Sequence, residues 1–397
     1  MSSFLKSVVA ILLGAAITTP CLRAEPTGDT NIHPRGTFAN ARLRFEQDKQ
    51  GHVAFIGGSI TEMNGYRPMV MEVLKRRFPE TEFTFTDAGI SSTCSTTGAF
   101  RLAEHVLDKG PVDLFFVEFA VNDDQDAGHA RRECIRGMEG IIRQTRTHNP
   151  GADIVVTHFV NPGMLAKWQR GEVPLPVAAH NAVAAHYQVS TINLAKEVAD
   201  RITAKTLTWE QFGGTHPKPH GNAIAATMID RLIEQSMSDP TPAKAIPHAM
   251  PQLLDSKSYA RGRLLQPNVA SDLKGMMIKV PAWKELKGSS RGRFTKELLL
   301  CAEEPESELT LKFDGTAIGA YVLAGPDAGI VETSVDGGPY QKTNLFHRFS
   351  SGLHYPRTVL FGADLATGAH VLRLRVADAK HADSIGNAMR VLNFVAN

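Results

Sequence analysis

The chain has 397 residues, with 43 Lys and Arg against 41 Asp and Glu, a formal charge of +2 with histidines neutral. No basic stripe, zinc-finger spacing or RNA-binding motif marks it for nucleic acid, and the missing Gly-x-Gly-x-x-Gly and P-loop patterns leave no support for a nucleotide cofactor, so no cofactor is expected. The length suits two domains.

Residues 1–24 read as an export signal: Lys6, an apolar run over 8–17 too short to span a bilayer comfortably, and a cleavage site after Leu22-Arg23-Ala24. A secreted or periplasmic protein with no membrane span in its mature part is therefore expected. Cys21 follows Thr18-Thr19-Pro20, a poor lipoprotein signal, and cleavage would leave Cys94, Cys134 and Cys301, an odd set that implies no disulfide framework. Cys94 reads as a small buried residue rather than a second nucleophile. Residues 25–48 form a lead-in, surface or short helix at 40–45, with no assignable chemistry.

The apolar run 53–56 reads as a buried parallel strand. It ends at Gly57-Gly58-Ser59-Ile60-Thr61, where the glycines let the chain turn sharply or approach another group and Ser59 opens the next element. A second strand over 82–86 ends at Asp87-Ala88-Gly89, and a third over 114–121 ends at Asn122-Asp123. Helical patterns at 67–78 and 98–107 separate them, so the connections are right-handed and the sheet parallel. In such a sheet the carboxyl ends share one edge, where ligands bind. Ser59, Gly89 and Asn122 thus converge there. The Ser59 N–H, the Gly89 N–H and the Asn122 amide are the donors that acyl transfer needs for its oxyanion.

The alternation continues with a helix over 129–148, a stop at Asn149-Pro150-Gly151, a strand at 153–159, a helix at 177–186 and a strand at 190–194. The segment Gly213-Gly214-Thr215-His216-Pro217-Lys218-Pro219-His220 then places a histidine before a helix ending near Gln235. His216 can take the Ser59 proton and return it to the leaving alcohol. His220 competes for that role. A metal pair made of both is disfavoured, because Pro217 and Pro219 argue against a helix there, and no metal is expected.

These four blocks, Gly57-Gly58-Ser59-Ile60-Thr61, Asp87-Ala88-Gly89-Ile90, Val121-Asn122-Asp123 and Thr215-His216-Pro217, resemble those of the SGNH, or GDSL-like, hydrolases. The likeness covers about residues 50–237 and uses a Gly-Gly-Ser-Ile-Thr variant of the serine block. It implies a flavodoxin-like three-layer α/β/α domain and ester hydrolysis through an acyl-enzyme on Ser59. Gly-x-Ser-x-Gly of the α/β-hydrolases is absent, since residue 61 is Thr. The family's usual aspartate three residues before the histidine is here Gly213. Glu210, Asp123 or Asp124 are the candidate substitutes; otherwise a backbone carbonyl orients His216 in a Ser-His dyad.

The domain reading is a catalytic domain over 49–237, a proline-rich linker over 238–254 and an all-β sandwich over 255–397. The sandwich rests on short strands at 276–280, 309–313, 318–323, 329–335 and 371–376, with turns such as Asp336-Gly337-Gly338. It resembles the appendages of secreted carbohydrate-active enzymes. Its loop Phe346-His347-Arg348-Phe349 and His354-Tyr355 is either part of a substrate groove or without special role. The expected activity is release of acyl groups, acetyl above all, from a carbohydrate or small ester. A lipid or short-chain esterase, an O-acyltransferase and a glycan-binding protein with a decayed site are the alternatives.

Overall fold

The computed structural model describes residues 28–238 and 240–397; the export signal expected at 1–24 lies outside them. The first domain runs β1 (Ile32–His33), α1 (Ala39–Glu46), β2 (Gln50–Gly57), α2 (Ser59–Glu62), α3 (Tyr66–Arg77), β3 (Glu82–Gly89), α4 (Ser95–His105) and β4 (Leu114–Glu118). It continues with α5 (Arg131–His148), β5 (Asp153–Thr157), α6 (Pro162–Gln169), α7 (Leu175–His186), β6 (Ser190–Ile192), α8 (Leu194–Thr203), α9 (Trp209–Phe212) and α10 (Pro219–Ser236). The sheet order is β1-β6-β5-β4-β2-β3. All its pairs are parallel except β1 with β6.

Because side chains alternate along a strand, β2 feeds two cores. Val53 and Phe55 join residues of α3, α8 and α10, whereas Ala54 and Ile56 face α4, α5 and α7. Phe55 stacks on Phe116 of β4 with ring centroids 4.9 Å apart. Each such fully buried side chain contributes roughly 1.5–3 kcal/mol. Helices on both faces complete the α/β/α layers expected of the first domain. The lead-in carries structure: β1 closes one sheet edge and α1 sends Ala41 and Phe45 into the core.

The second domain is built only of strands and short turns: β7 (Arg263–Leu265), β8 (Ser271–Lys274), β9 (Met276–Lys279), β10 (Leu299–Ala302), β11 (Glu308–Gly315), β12 (Ile318–Ala324), β13 (Ile330–Val335), β14 (Gln341–Asn344), β15 (Tyr355–Gly362), β16 (Gly368–Val376) and β17 (Met389–Ala396). Two antiparallel sheets, β15-β12-β17-β10-β9 and β14-β13-β16-β11-β8, enclose a core, with β7 added to β17. β12 is buried throughout. Its Ile318, Ala320 and Val322 point into the sandwich, while Tyr321 and Leu323 enter the core around α4 and α5. The two domains therefore share apolar surface.

The connector is strapped to the first domain. Ile246 N–H donates to Asn40 at 2.8 Å, His248 lies 2.8 Å from an Asp153 oxygen, and Leu254 N–H donates to Glu139 at 2.7 Å. Two local departures matter for the site. The third strand stops at Glu118 rather than 121, because the chain turns helical at Ala120 and makes one wide π-helical turn over Asn122–Asp126. Such turns recur at functional sites.

Candidate active site

Ser59 is the first residue of α2, directly after β2. The N–H groups of a helix's first turn lack intrahelical partners, and that of Ser59 makes no hydrogen bond among the described residues. The two preceding glycines are required by close approach. A Cβ on Gly57 would stand 2.7 Å from the Glu118 carbonyl oxygen, and one on Gly58 would stand 2.0 Å from Asn122 Oδ1. Thus β2, β4 and the turn after β4 meet beneath the serine.

Ser59 Oγ lies 2.7 Å from His216 Nε2. The histidine comes from the loop between α9 and α10. α9 opens with a reciprocal Thr208–Gln211 capping box and ends at Gly213, whose φ of 109° is a left-handed cap. Lys218 N–H then donates to Phe212 O at 2.9 Å, and Asn222 Nδ2 donates to Pro217 O at 2.7 Å. These bonds fix the loop from both sides. Pro219 occupies the first turn of α10, where its missing N–H costs nothing. His220 therefore sits in that helix, and among the described residues neither it nor His216 belongs to a cluster of metal-binding type.

The position of the missing aspartate has a local cause. A Cβ on Gly213 would lie 2.1 Å from Lys218 N, and the positive φ disfavours any side chain. None of the three substitutes reaches His216 among the described residues. Glu210 is exposed. Asp124 accepts from Asn161 Nδ2 at 2.8 Å. Asp123 is wholly buried, its oxygens accepting from Ser95 N–H at 2.8 Å, from the Ser95 hydroxyl at 2.7 Å and from His180 Nε2 at 2.9 Å, with His129 Nδ1 at 3.4 Å. It serves as a buried hub between α4, α7 and the π-helical turn.

Asn122 is buried and its Nδ2 donates to Asp126 Oδ2 at 2.9 Å. Asp126 Oδ1 in turn accepts from the Tyr355 hydroxyl at 2.7 Å, from the second domain. His347 Nε2 lies 2.9 Å from Asp126 O, and Arg348 donates to Gln125 O. The sandwich thus clamps the turn that presents Asn122. One Asn122 hydrogen is used in this clamp, and Nδ2 makes no second hydrogen bond among the described residues. Gly89 N–H donates to Asp87 Oδ1 at 3.0 Å, and the other Asp87 oxygen, Oδ2, is paired with Arg67 at 2.7 Å. Of the three donors expected from sequence, Gly89 is occupied at rest. Arg293 of the sandwich binds the neighbouring Gly89 O at 2.9 Å and Glu62 at 2.7 Å.

Glu118 is the residue that sequence reasoning passed over. It is fully buried at the end of β4, facing the Gly58 N–H and the Thr61 hydroxyl without a well-formed hydrogen bond to either. Burial pushes its carboxyl up to about 8, so it is mostly protonated at neutral pH. An acidic residue interrupting the apolar run Leu114-Phe115-Phe116-Val117 was the available signal. Asp126 and Tyr355 had no comparable signal, since their pairing depends on how two domains meet.

Residues 55–224 match the family model of the GDSL-like Lipase/Acylhydrolase family. No curated protein sequence matches the chain. Among solved structures, a two-domain esterase (CEX) active on acetylated mannans, co-crystallised with mannopentaose, aligns at a TM-score of 0.74 and 19% identity. That alignment covers 93% of this chain and 97% of that one. A further structure of a two-domain esterase (CEX) active on acetylated mannans gives the same score and identity over 93% and 98%. At this identity the likeness is one of fold, and it extends over both domains. Residues 55–224 therefore form a domain of the GDSL-like lipase/acylhydrolase family, carboxylic ester hydrolases, set here against an antiparallel β-sandwich.

Proposed function

We propose that the chain is an exported serine esterase that removes acetyl groups from a carbohydrate, and the observation that carries this reading is the 2.7 Å contact between Ser59 Oγ and His216 Nε2. With the ring proton on Nδ1, the Ser59 hydroxyl donates to Nε2, and His216 takes this proton as Oγ attacks the ester carbonyl. The oxyanion is met by the Ser59 N–H and the free Asn122 hydrogen; Gly89 joins them only by releasing Asp87. His216 then gives its proton to the departing sugar oxygen, which leaves as the alcohol, and water reverses the sequence on the acyl-enzyme. With no carboxylate on His216 among the described residues, the pair works as a dyad.

The carbohydrate half of the proposal draws on the fold shared with an esterase active on acetylated mannans. It also draws on the loop around Phe349, which is 42% exposed beside the clamped turn, with the Arg348 guanidinium 4.9 Å from its ring centre. An exposed aromatic ring at the rim suits the apolar face of a sugar. The contact between Ser59 and His216 weighs against a decayed site.

The test is acetate release from acetylated manno-oligosaccharides and from an aryl acetate, by the wild type and by Ser59→Ala and His216→Ala. Turnover of both substrates by the wild type alone is the expected result. Equal release by all three proteins would overturn catalysis at this site; release from the aryl ester alone would overturn the carbohydrate assignment.

A further inference from the structure

A second nucleophile-like arrangement lies behind the ester site. Cys94 is the N-cap residue of α4, so the helix's positive end faces it. Its sulfur, a ring nitrogen of His129 and a carboxylate oxygen of Asp123 lie within 4.8 Å of one another. His129 Nδ1 is buried with no hydrogen-bond partner among the described residues, although Asp123 Oδ1 stands 3.4 Å away. Both Cys94 and His129 line a cavity of about 310 Å³ between the domains, whose other walls include Thr96, Asp126, Tyr355 and Arg357. Cys94 is thus a buried residue, 6% exposed, at the wall of this cavity. Arg357 forms no ion pair among the described residues, bonding instead to the Leu345 and Phe346 carbonyls at 3.4 and 3.5 Å.

We propose that Cys94 is a covalent modification site for small soft electrophiles, peroxides among them, reached through the cavity between the two domains. Thiolates form at helix N-termini and beside cationic groups. The groups acting on Cys94 from the surrounding elements are His129, Asp123, Tyr355, Arg101 and Arg357. Burial is the largest influence and raises the thiol, but the His129 charge and the hydrogen bonds offered by His129 and the Thr97 backbone together hold Cys94 below its ordinary value. Asp123 and the thiolate together hold His129 well above its own, although burial opposes this. With peroxide, the sulfur attacks one oxygen, an S–O bond forms and the O–O bond breaks. The departing hydroxide takes a proton from the His129 imidazolium and leaves as water. The sulfur is oxidised by two electrons to a sulfenic acid, and the peroxide is reduced.

The other two buried cysteines provide internal controls. Burial raises Cys134 to about 12 and Cys301 to about 11, and neither lines this cavity. The test treats the native full chain with iodoacetamide from pH 6 to 9 and reads each cysteine by peptide mass. Cys94 is expected to label at least about tenfold faster than Cys134 and Cys301 at pH 7. Its rate should have levelled off by pH 8, as a pre-formed thiolate requires. His129→Gln should slow labelling at pH 7 about tenfold and restore a rise with pH, while Ser59→Ala should leave it unchanged. The wild-type pH profile stands even where His129→Gln folds poorly. Labelling of Cys94 no faster than Cys301, a rate still climbing tenfold per pH unit to pH 9, or protection removed by a chelator would each overturn the proposal.

Discussion

Two polar centres of the first domain invite comparison: the exposed pair Ser59 and His216 at the sheet edge, and the buried Asp123 with His180, His129 and Ser95. Among the described residues, the first has an imidazole without a carboxylate; the second has a carboxylate with two imidazoles. The distribution follows from solvent. A buried Asp123 must be neutralised and hydrogen-bonded, because an unpaired charge there is costly. His216 sits at the rim, where water can satisfy Nδ1 and loop hydrogen bonds set the ring's position. The lesson is that an acidic residue next to a family motif is not by that fact a triad member. Asp123 follows Asn122 in sequence, yet its side chain holds α4 and α7 together.

Substitutions can break or sharpen this contrast. The largest effect is expected at the rim, where Ser59→Ala should lower kcat about 10⁴-fold or more without changing the melting temperature. Next, Asn122→Ala should cost about 10²- to 10³-fold in kcat, the scale of one lost oxyanion donor. Asp123→Ala should act through folding, with a loss of roughly 3 kcal/mol in denaturant titration, because His180 and Ser95 lose a shared buried acceptor and His129 loses its nearby carboxylate. Were its kcat to collapse while stability held, the division between rim and hub would be wrong. Tyr355→Phe should lower kcat roughly tenfold with little change in KM, since the lost hydrogen bond of about 1 kcal/mol positions Asn122 through Asp126. Glu210→Gln should leave kcat within about twofold; a large fall would restore a triad.

Glu118 sharpens the contrast through pH. Its folded-state carboxyl, pushed up to about 8, binds a proton that the unfolded chain has released, so the folded state holds more protons between the ordinary glutamate range and pH 8. Its contribution to stability is complete below that range and is lost as pH rises to about 8. The melting temperature should therefore decline between pH 5 and pH 8, and Glu118→Gln should flatten the decline. An unaltered slope in the variant would show that Glu118 is not the titrating group.

The strand ends were legible because glycines, a serine and an asparagine close strand patterns, two of them apolar runs and one alternating, at Ser59, Asn122 and Gly89. Topology put Ser59 on the shared edge, whereas His216 was read from its loop before a helix and from the family likeness, with His220 competing; the structure sets His216 Nε2 2.7 Å from Ser59 Oγ. The alternating second-domain strands, such as β11, were readable from their period. Other elements gave no such pattern: β10 has four consecutive buried residues, β14 is a polar edge, and β1 has only two residues. Clamping of Asn122 by Tyr355 was invisible, since 229 positions separate Asp126 from Tyr355. The vacancy at Gly213 was visible as a missing aspartate, but its cause, a left-handed cap pressed against Lys218, is a matter of backbone geometry.

The double-sided burial of β12 has a consequence for anyone dividing this protein. Trimming the chain after α10 would strip cover from the hydrophobic flank of α4 and α5, leaving a fragment prone to aggregate rather than a smaller enzyme. The same cut would discard the phenol that steadies the Asn122 amide through Asp126. The two halves are one machine with a seam, and experiments that treat the rear half as a detachable tag would measure damage in place of function.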